Sequence, residues 1–211
     1  MTISEIFAFL QQWQIALPIV LVTMAAFALA GYRWTALYVG LMPFINWSFS
    51  MVPTAPIPEW LGGGAFQPLA IVTGLVLVVR DFAQREIKHW IFGAMLVGMC
   101  LSILTSWIVV VFASAAAFLI SETVDWAVYT FSKRPLSQRI MISSFASAPL
   151  DQIVFVGLAS QIPGQAGIFA IGTILAGIIS KLIGAWVVSR VVAAQERRAS
   201  GAAPQNDMNP A

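Results

Sequence analysis

Glu122 and Asp125 lie deep inside an otherwise apolar run, residues 110–133, that is long enough to cross a bilayer at about 20 residues per span. At 100° per residue, Ser114, Phe118, Ser121, Glu122, Asp125 and Tyr129 fall on one arc of a helix there. A carboxylate near the membrane centre costs roughly 2.5–3.5 kcal/mol on the insertion scale, so a chain keeps two of them only where they face a bundle interior or a ligand. The stripe therefore reads as a binding surface. Glu122 and Asp125 accept hydrogen bonds from a donor-rich molecule, and Tyr129, one further turn along, orients one of them. The competing reading is a structural network in which these groups satisfy a basic side chain on another helix.

Other polar residues interrupt apolar runs in the same way. Asp151 follows Ser143, Ser144, Ser147 and Pro149, and shares a helical face with Ser144, Ala148 and Phe155. Pro149 removes a backbone donor where Asp151 needs partners, which is either a broken-helix binding geometry or a plain proline kink with a hydrogen-bonded acid. Lys181 sits mid-span between Gly177 and Gly184, where helices approach closely, and must meet an acid instead of lipid. Asp151 is its first expected partner because it belongs to the adjacent, antiparallel span; Asp125 and Glu122 are the others. Arg80 and Asp81 border an apolar run and suit inward-facing work, with Thr73, Arg80 and Gln84 on one face. Asn46, three residues after Pro43, is placed to bond backbone groups that the proline frees.

The elements that position these groups follow from composition. The chain of 211 residues is 59% hydrophobic and 9% charged, with a mean hydropathy of +0.86, which is far too apolar for a soluble domain. The expected fold is an all-α integral membrane protein, a polytopic bundle of about seven transmembrane helices. Its spans cover residues 15–31, 36–52, 66–79, 90–107, 108–131, 140–162 and 168–192. Residues 1–14 read as an interfacial lead-in, 15–193 as the transmembrane domain and 194–211 as a disordered cytoplasmic tail. Basic residues cluster at alternate connections: Arg33; Arg80, Arg85 and Lys88; Lys133, Arg134 and Arg139; Arg190, Arg197 and Arg198. Seven spans with the N-terminus outside and the C-terminus in the cytoplasm satisfy the positive-inside rule at each of them. Residues 53–64, rich in Pro and Gly, form the longest loop and are placed to act as a lid. Cys100 has no disulfide partner and reads as a small buried residue.

Several chemistries have no support. There is no phosphate loop, no H-E-x-x-H, no G-x-S-x-G and no cysteine pair, and the single His89 cannot build a haem or metal site. No basic patch with interleaved aromatics reads as a nucleic-acid surface. An enzyme is therefore not expected, nor any cofactor, metal or nucleic-acid partner. The lipid bilayer and a small polar solute are the expected partners, and transport is the natural use of such a bundle.

One ordered set of residues resembles a known family. Arg80-Asp81-Phe82-Ala83-Gln84-Arg85 is followed by Ser121-Glu122, Asp125 and Tyr129, then by Pro149-Leu150-Asp151 and finally by Lys181. This order is similar to that of the vitamin uptake transporter family, also called the queuosine precursor transporter family. The resemblance covers residues 36–192. It implies a six-helix core like that of the substrate-binding subunits of energy-coupling-factor transporters, here with an extra first helix at residues 15–31. It also implies import of a 7-deazaguanine precursor of queuosine across the bacterial inner membrane. The implied substrate-binding residues are Asn46, Arg80, Asp81, Glu122, Asp125, Tyr129, Asp151 and Lys181. The chain either works alone, as a facilitator or a proton-linked carrier, or docks onto a separate ATP-driven energy-coupling module. A non-transporting membrane scaffold is the reading from a different class.

The topology has a direct check. A cysteine placed within residues 53–64 is expected to react with an impermeant thiol reagent added to intact cells, and one placed beside Lys133 is expected not to. The reverse pattern would exclude the N-out arrangement.

Overall fold

The computed structural model describes residues 11–162 and 166–201, apart from the side chains of Tyr129, Ala166 and residues 199–201. Most of the expected lead-in, residues 1–10, and residues 202–211 of the expected tail lie outside the described residues. The elements are α1 (Trp13–Leu29), α2 (Arg33–Met51), a short hairpin of β1 (Ala55–Pro56) and β2 (Ala65–Phe66), α3 (Ala70–Ile87), α4 (Ile91–Ser102), α5 (Ile108–Phe131), α6 (Leu136–Ala159) and α7 (Ile171–Gly201). The hairpin strands pair antiparallel, Ala55 with Phe66 and Pro56 with Ala65.

The chain is predominantly helical, and among the described residues three helices are long and apolar enough to cross a membrane: Ile108–Val128, Leu136–Ala159 and Ile171–Arg198. The expected count of seven spans goes beyond these three. Helix α1 is apolar but has 17 residues. Helix α3 carries Arg80, Asp81, Arg85 and Glu86 within its 18 residues. The expected span at residues 90–107 is realised as the 12-residue α4, which rises only about 18 Å at 1.5 Å per residue, followed by hydrogen-bonded turns at Ile103, Leu104, Thr105 and Ser106. The outer surface is strongly apolar: Leu96, Phe112, Phe145, Ile171 and Trp186 are all more than half exposed. Large hydrophobic side chains displayed this widely suit contact with lipid tails. Cys100 is exposed on α4, against the expectation that it is buried. A thiol is apolar enough for such a surface.

Helices α5, α6, α7, α3 and α2 pack each against the next, α2 also touches α5, and α4 and α1 both pack mainly on α2. Helices α3 and α5 are not close-packed neighbours, so whatever joins them must reach across the interior. The largest apolar core lies among α1 to α5 and is built on Tyr38, Met42, Val76, Ile91, Met95 and Phe118.

Two acids fasten helix starts from a distance. Glu86, at the end of α3, accepts hydrogen bonds from the backbone N–H groups of Trp34 (3.0 Å) and Thr35 (2.9 Å) and from the Thr35 hydroxyl (2.9 Å). These are donors that the first turn of α2 cannot satisfy internally. Glu196 does the same for α6: its carboxylate accepts from the Ser137 hydroxyl at 2.7 Å and from the Ser137 N–H at 3.4 Å. That bond explains why α7 stays helical to Gly201 instead of giving way to a tail at residue 194.

Helix α3 meets α7 at Gly74. A Cβ there would lie 2.7 Å from the Lys181 carbonyl oxygen and 2.9 Å from the Lys181 Cα, both backbone atoms that cannot swing aside. Gly74→Ala is therefore expected to lower stability in detergent by about 1–3 kcal/mol, read as a fall in the thermal midpoint. Gly93→Ala, whose methyl would meet only the Trp90 ring at 3.6 Å, is expected to be neutral or slightly stabilising.

Candidate functional site

The polar residues that the sequence singles out are brought together in two neighbouring groups. The first is centred on Arg80, which has no exposed surface. Its Nε lies 3.1 Å from Glu122 Oε2, its Nη1 lies 3.2 Å from Asp81 Oδ1, and its Nη2 is in contact with Asp125 Oδ2. Nη1 also donates to Gln84 Oε1 at 2.9 Å, one helical turn along α3, and the Gln84 amide reaches Thr130 on α5 at 3.4 Å. The i, i+3 spacing of Glu122 and Asp125 sends both carboxylates off one face of α5, and Arg80 meets them from α3. The group is dense in charge but poor in aligned hydrogen bonds. The side-chain oxygens of Asp81, Glu122 and Asp125, with Arg80 Nε and Nη2, are buried without a hydrogen-bond partner among the described residues. The Tyr38 hydroxyl of α2, likewise buried and without such a partner, lies near Glu122.

The second group joins α6 to α7. Lys181 Nζ contacts Asp151 Oδ2 and donates to Gln152 Oε1 at 2.7 Å. This is the pairing expected from the adjacent antiparallel spans. Ser121 on α5 donates to Asp151 Oδ1 at 3.5 Å, so Asp151 stands between the two groups. Asn46 is anchored separately. Its Nδ2 donates to the Met42 carbonyl and to Ser102 Oγ, both at 3.1 Å, and its Oδ1 accepts from Ser114. It thus bonds the backbone one turn up its own helix, within the turn that Pro43 disturbs, and ties α2 to α4 and α5.

Asp151, Lys181 and Asn46 line a cavity of about 80 Å³. Gln67, Thr73 and Gln152 supply further polar wall, and Phe49, Phe118 and Phe155 the aromatic wall. Phe49 and Phe155 meet edge to face with ring centroids 4.8 Å apart. Gln67 is held by its Nε2, which donates to the Ser48 carbonyl at 3.0 Å and to the Val52 carbonyl at 3.4 Å, while its Oε1 has no hydrogen-bond partner. Of residues 53–64, which the sequence marked as a lid, Thr54 lines the cavity. Ala65 and Phe66 of the hairpin line it directly. The hairpin is strapped to the start of α7 by Ala65 N–H to Thr173 Oγ1 (2.9 Å) and Gly172 N–H to Gly62 O (3.2 Å). Gly62 is required there, with φ +93° and room for no Cβ beside Gly172 N.

The eight sequence-selected residues therefore divide. Asn46, Asp151 and Lys181 reach the cavity; Arg80, Asp81, Glu122 and Asp125 form the adjoining charge cluster and do not line it. The Tyr129 side chain lies outside the described residues. Trp126 donates its indole N–H to His89 Nδ1 at 3.0 Å and does not line the cavity. Gln67, Thr73 and Gln152 were not picked out as site residues. Gln152 could have been found from its place beside Asp151 on a span facing Lys181; Gln67 follows the loop and carries no periodic signal. No family model, no curated protein and no solved structure matches this chain.

The acid–base pair predicts an asymmetry. Lys181→Met strands a buried Asp151 and is expected to cost on the order of 3–5 kcal/mol, seen as loss of folded protein in detergent. Lys181→Met combined with Asp151→Asn is expected to recover most of that loss. Equal damage in both would show that the pair does not govern stability.

Proposed function

We propose that this chain is an importer of a small, flat heterocycle of the 7-deazaguanine type, a queuosine precursor or a related vitamin-like compound, working in the bacterial inner membrane. In this reading the bundle has seven spans, with the N-terminus outside and the C-terminus in the cytoplasm, and the three long apolar helices form one part of it. The observation that carries the reading is the Asp151–Lys181 pair set into the wall of an aromatic-lined cavity.

A deazaguanine presents adjacent N–H donors beside a ring carbonyl. Asp151 accepts from the donors in the bidentate manner of a carboxylate, and Lys181 donates to the carbonyl, so one ligand edge satisfies both members of the pair. Phe49, Phe118 and Phe155 provide the faces against which the ring lies. Gln67 and Thr73 add the polar contacts that fix its orientation. A ring of that size needs more room than the described cavity gives, so the hairpin must move outward for solute to enter, in keeping with its place in the cavity wall. The order of polar residues shared with the vitamin uptake transporter family supports the same solute class.

Proteoliposomes containing only this chain are expected to take up radiolabelled 7-deazaguanine. Phe155→Leu, which keeps the bulk but removes the aromatic face, is expected to raise the Kd about five- to tenfold in equilibrium titration with little change in thermal midpoint. Absence of both uptake and measurable binding would reject the importer in favour of a scaffold whose charges only hold helices together, whereas binding without uptake would point to a separate energy-coupling module.

A further inference from the structure

The Arg80 cluster is left over once the cavity is assigned to solute. It holds three carboxylates, Asp81, Glu122 and Asp125, against one guanidinium, all essentially without exposed surface. With every group ionised its formal charge is −2. The neighbouring Lys181 does not correct this, since it is matched by Asp151. Uncompensated buried charge is strongly unfavourable, and nearby carboxylates that share a desolvated site do not all remain ionised. The groups facing the cluster are Tyr38 from α2, Arg80, Asp81 and Gln84 from α3, Glu122 and Asp125 from α5, Asp151 from α6 and, behind it, Lys181 from α7. Arg80 and Lys181 are the only cations among them.

A second observation points the same way. The Tyr38 hydroxyl has no exposed surface and no hydrogen-bond partner among the described residues, and it lies near Glu122. A phenol in that position can donate to a carboxylate or accept from a carboxylic acid, so it accommodates Glu122 in either protonation state. Ser121, the residue next to Glu122, donates to Asp151 on the cavity wall at 3.5 Å, which places Glu122 beside the cavity pair.

We propose that the Arg80 cluster is a proton-binding site, that the proton resides on Glu122, and that its uptake and release couple solute movement in the adjoining cavity to a proton gradient. The only bond formed is O–H on the Glu122 carboxylate, and no group leaves. A proton there reduces the cluster's excess charge by one and removes the repulsion between Glu122 and Asp151. Asp151 is then freer to trade Lys181 for a ligand donor. The coupling half rests on the importer reading above; the proton site does not.

Two measurements test it. Infrared difference spectra of the purified protein, taken between acid and alkaline pH in the absence of any solute, are expected to contain a protonated-carboxyl C=O band that disappears in Glu122→Gln. No titrating band in the wild type, or a band unchanged in Glu122→Gln, would overturn the site. If Glu122→Gln fails to fold, the wild-type band and its change in Tyr38→Phe decide instead: a shifted band supports the site and an unmoved one overturns it. In proteoliposomes, an outside made one pH unit more acid is expected to support roughly tenfold accumulation of 7-deazaguanine when one proton moves with it, and the ratio to equal-pH uptake is expected to fall to about one in Glu122→Gln. Accumulation driven by a sodium gradient and not by a proton gradient would overturn the coupling. An infrared band with no uptake of 7-deazaguanine under any gradient would leave the proton site standing and reject the solute assignment.

Discussion

Burying charge is the constraint on which this bundle depends. Among the described residues four acids and two bases sit in its interior with almost no exposed surface, and all but Asp81, which meets Arg80 on its own helix, find a counterpart on another helix. Arg80 supplies the longest reach. Helices α3 and α5 do not pack closely, and the guanidinium fills the gap with a planar fork that meets Glu122 and Asp125 together. A lysine carries its donors on one nitrogen and would have to draw both carboxylates to that point, whereas the guanidinium meets them with separate atoms, Nε and Nη2. The Lys181–Asp151 pair closes the other side of the bundle, and Ser121 connects the two groups.

This arrangement gives the interior an unequal division of labour. Asn46 is fully bonded within the protein and acts as a fixed post between α2, α4 and α5. The Lys181 pair is satisfied and borders the cavity. The Arg80 cluster has short charge contacts and few aligned hydrogen bonds, the kind of site in which adding or removing a proton changes the most energy. Neighbouring groups with such different reserves of satisfied bonding suit a device that binds one species and responds to another.

How much of this was legible in the sequence depended on how local the signal was. Glu122, Asp125, Asp151, Arg80 and Lys181 stood out because each breaks an apolar run, and the adjacency of α6 and α7 was enough to pair Lys181 with Asp151. The separation of the acids into a cavity group and a cluster group was not legible. Helical periodicity puts Glu122 and Asp125 on the inner face of α5 but does not say whether Arg80 or open space lies opposite. The caps made by Glu86 and Glu196 join residues 51 and 59 positions apart, so no local pattern announces them. The brevity of α4 was hidden because residues 90–107 are mostly apolar with no Pro or charge to mark a break, while Ser102, Thr105 and Ser106 end the helix through tertiary bonds that no local pattern shows. Thr105 Oγ1 donates to the Pro43 carbonyl at 2.9 Å, and Ser106 and Ser50 share a hydroxyl contact.

That short helix bears on the lipid around the protein. The hydrocarbon layer is about 30 Å thick, whereas α4 covers about 18 Å and hands over to turns whose polar groups are bonded inward to α2. The flank carrying α4 is thus mismatched to a bilayer of ordinary depth while the flank of α5, α6 and α7 is not. In a bilayer crossed by α5, α6 and α7, a flank this short would draw in the acyl chains beside α4, the response that hydrophobic mismatch calls for.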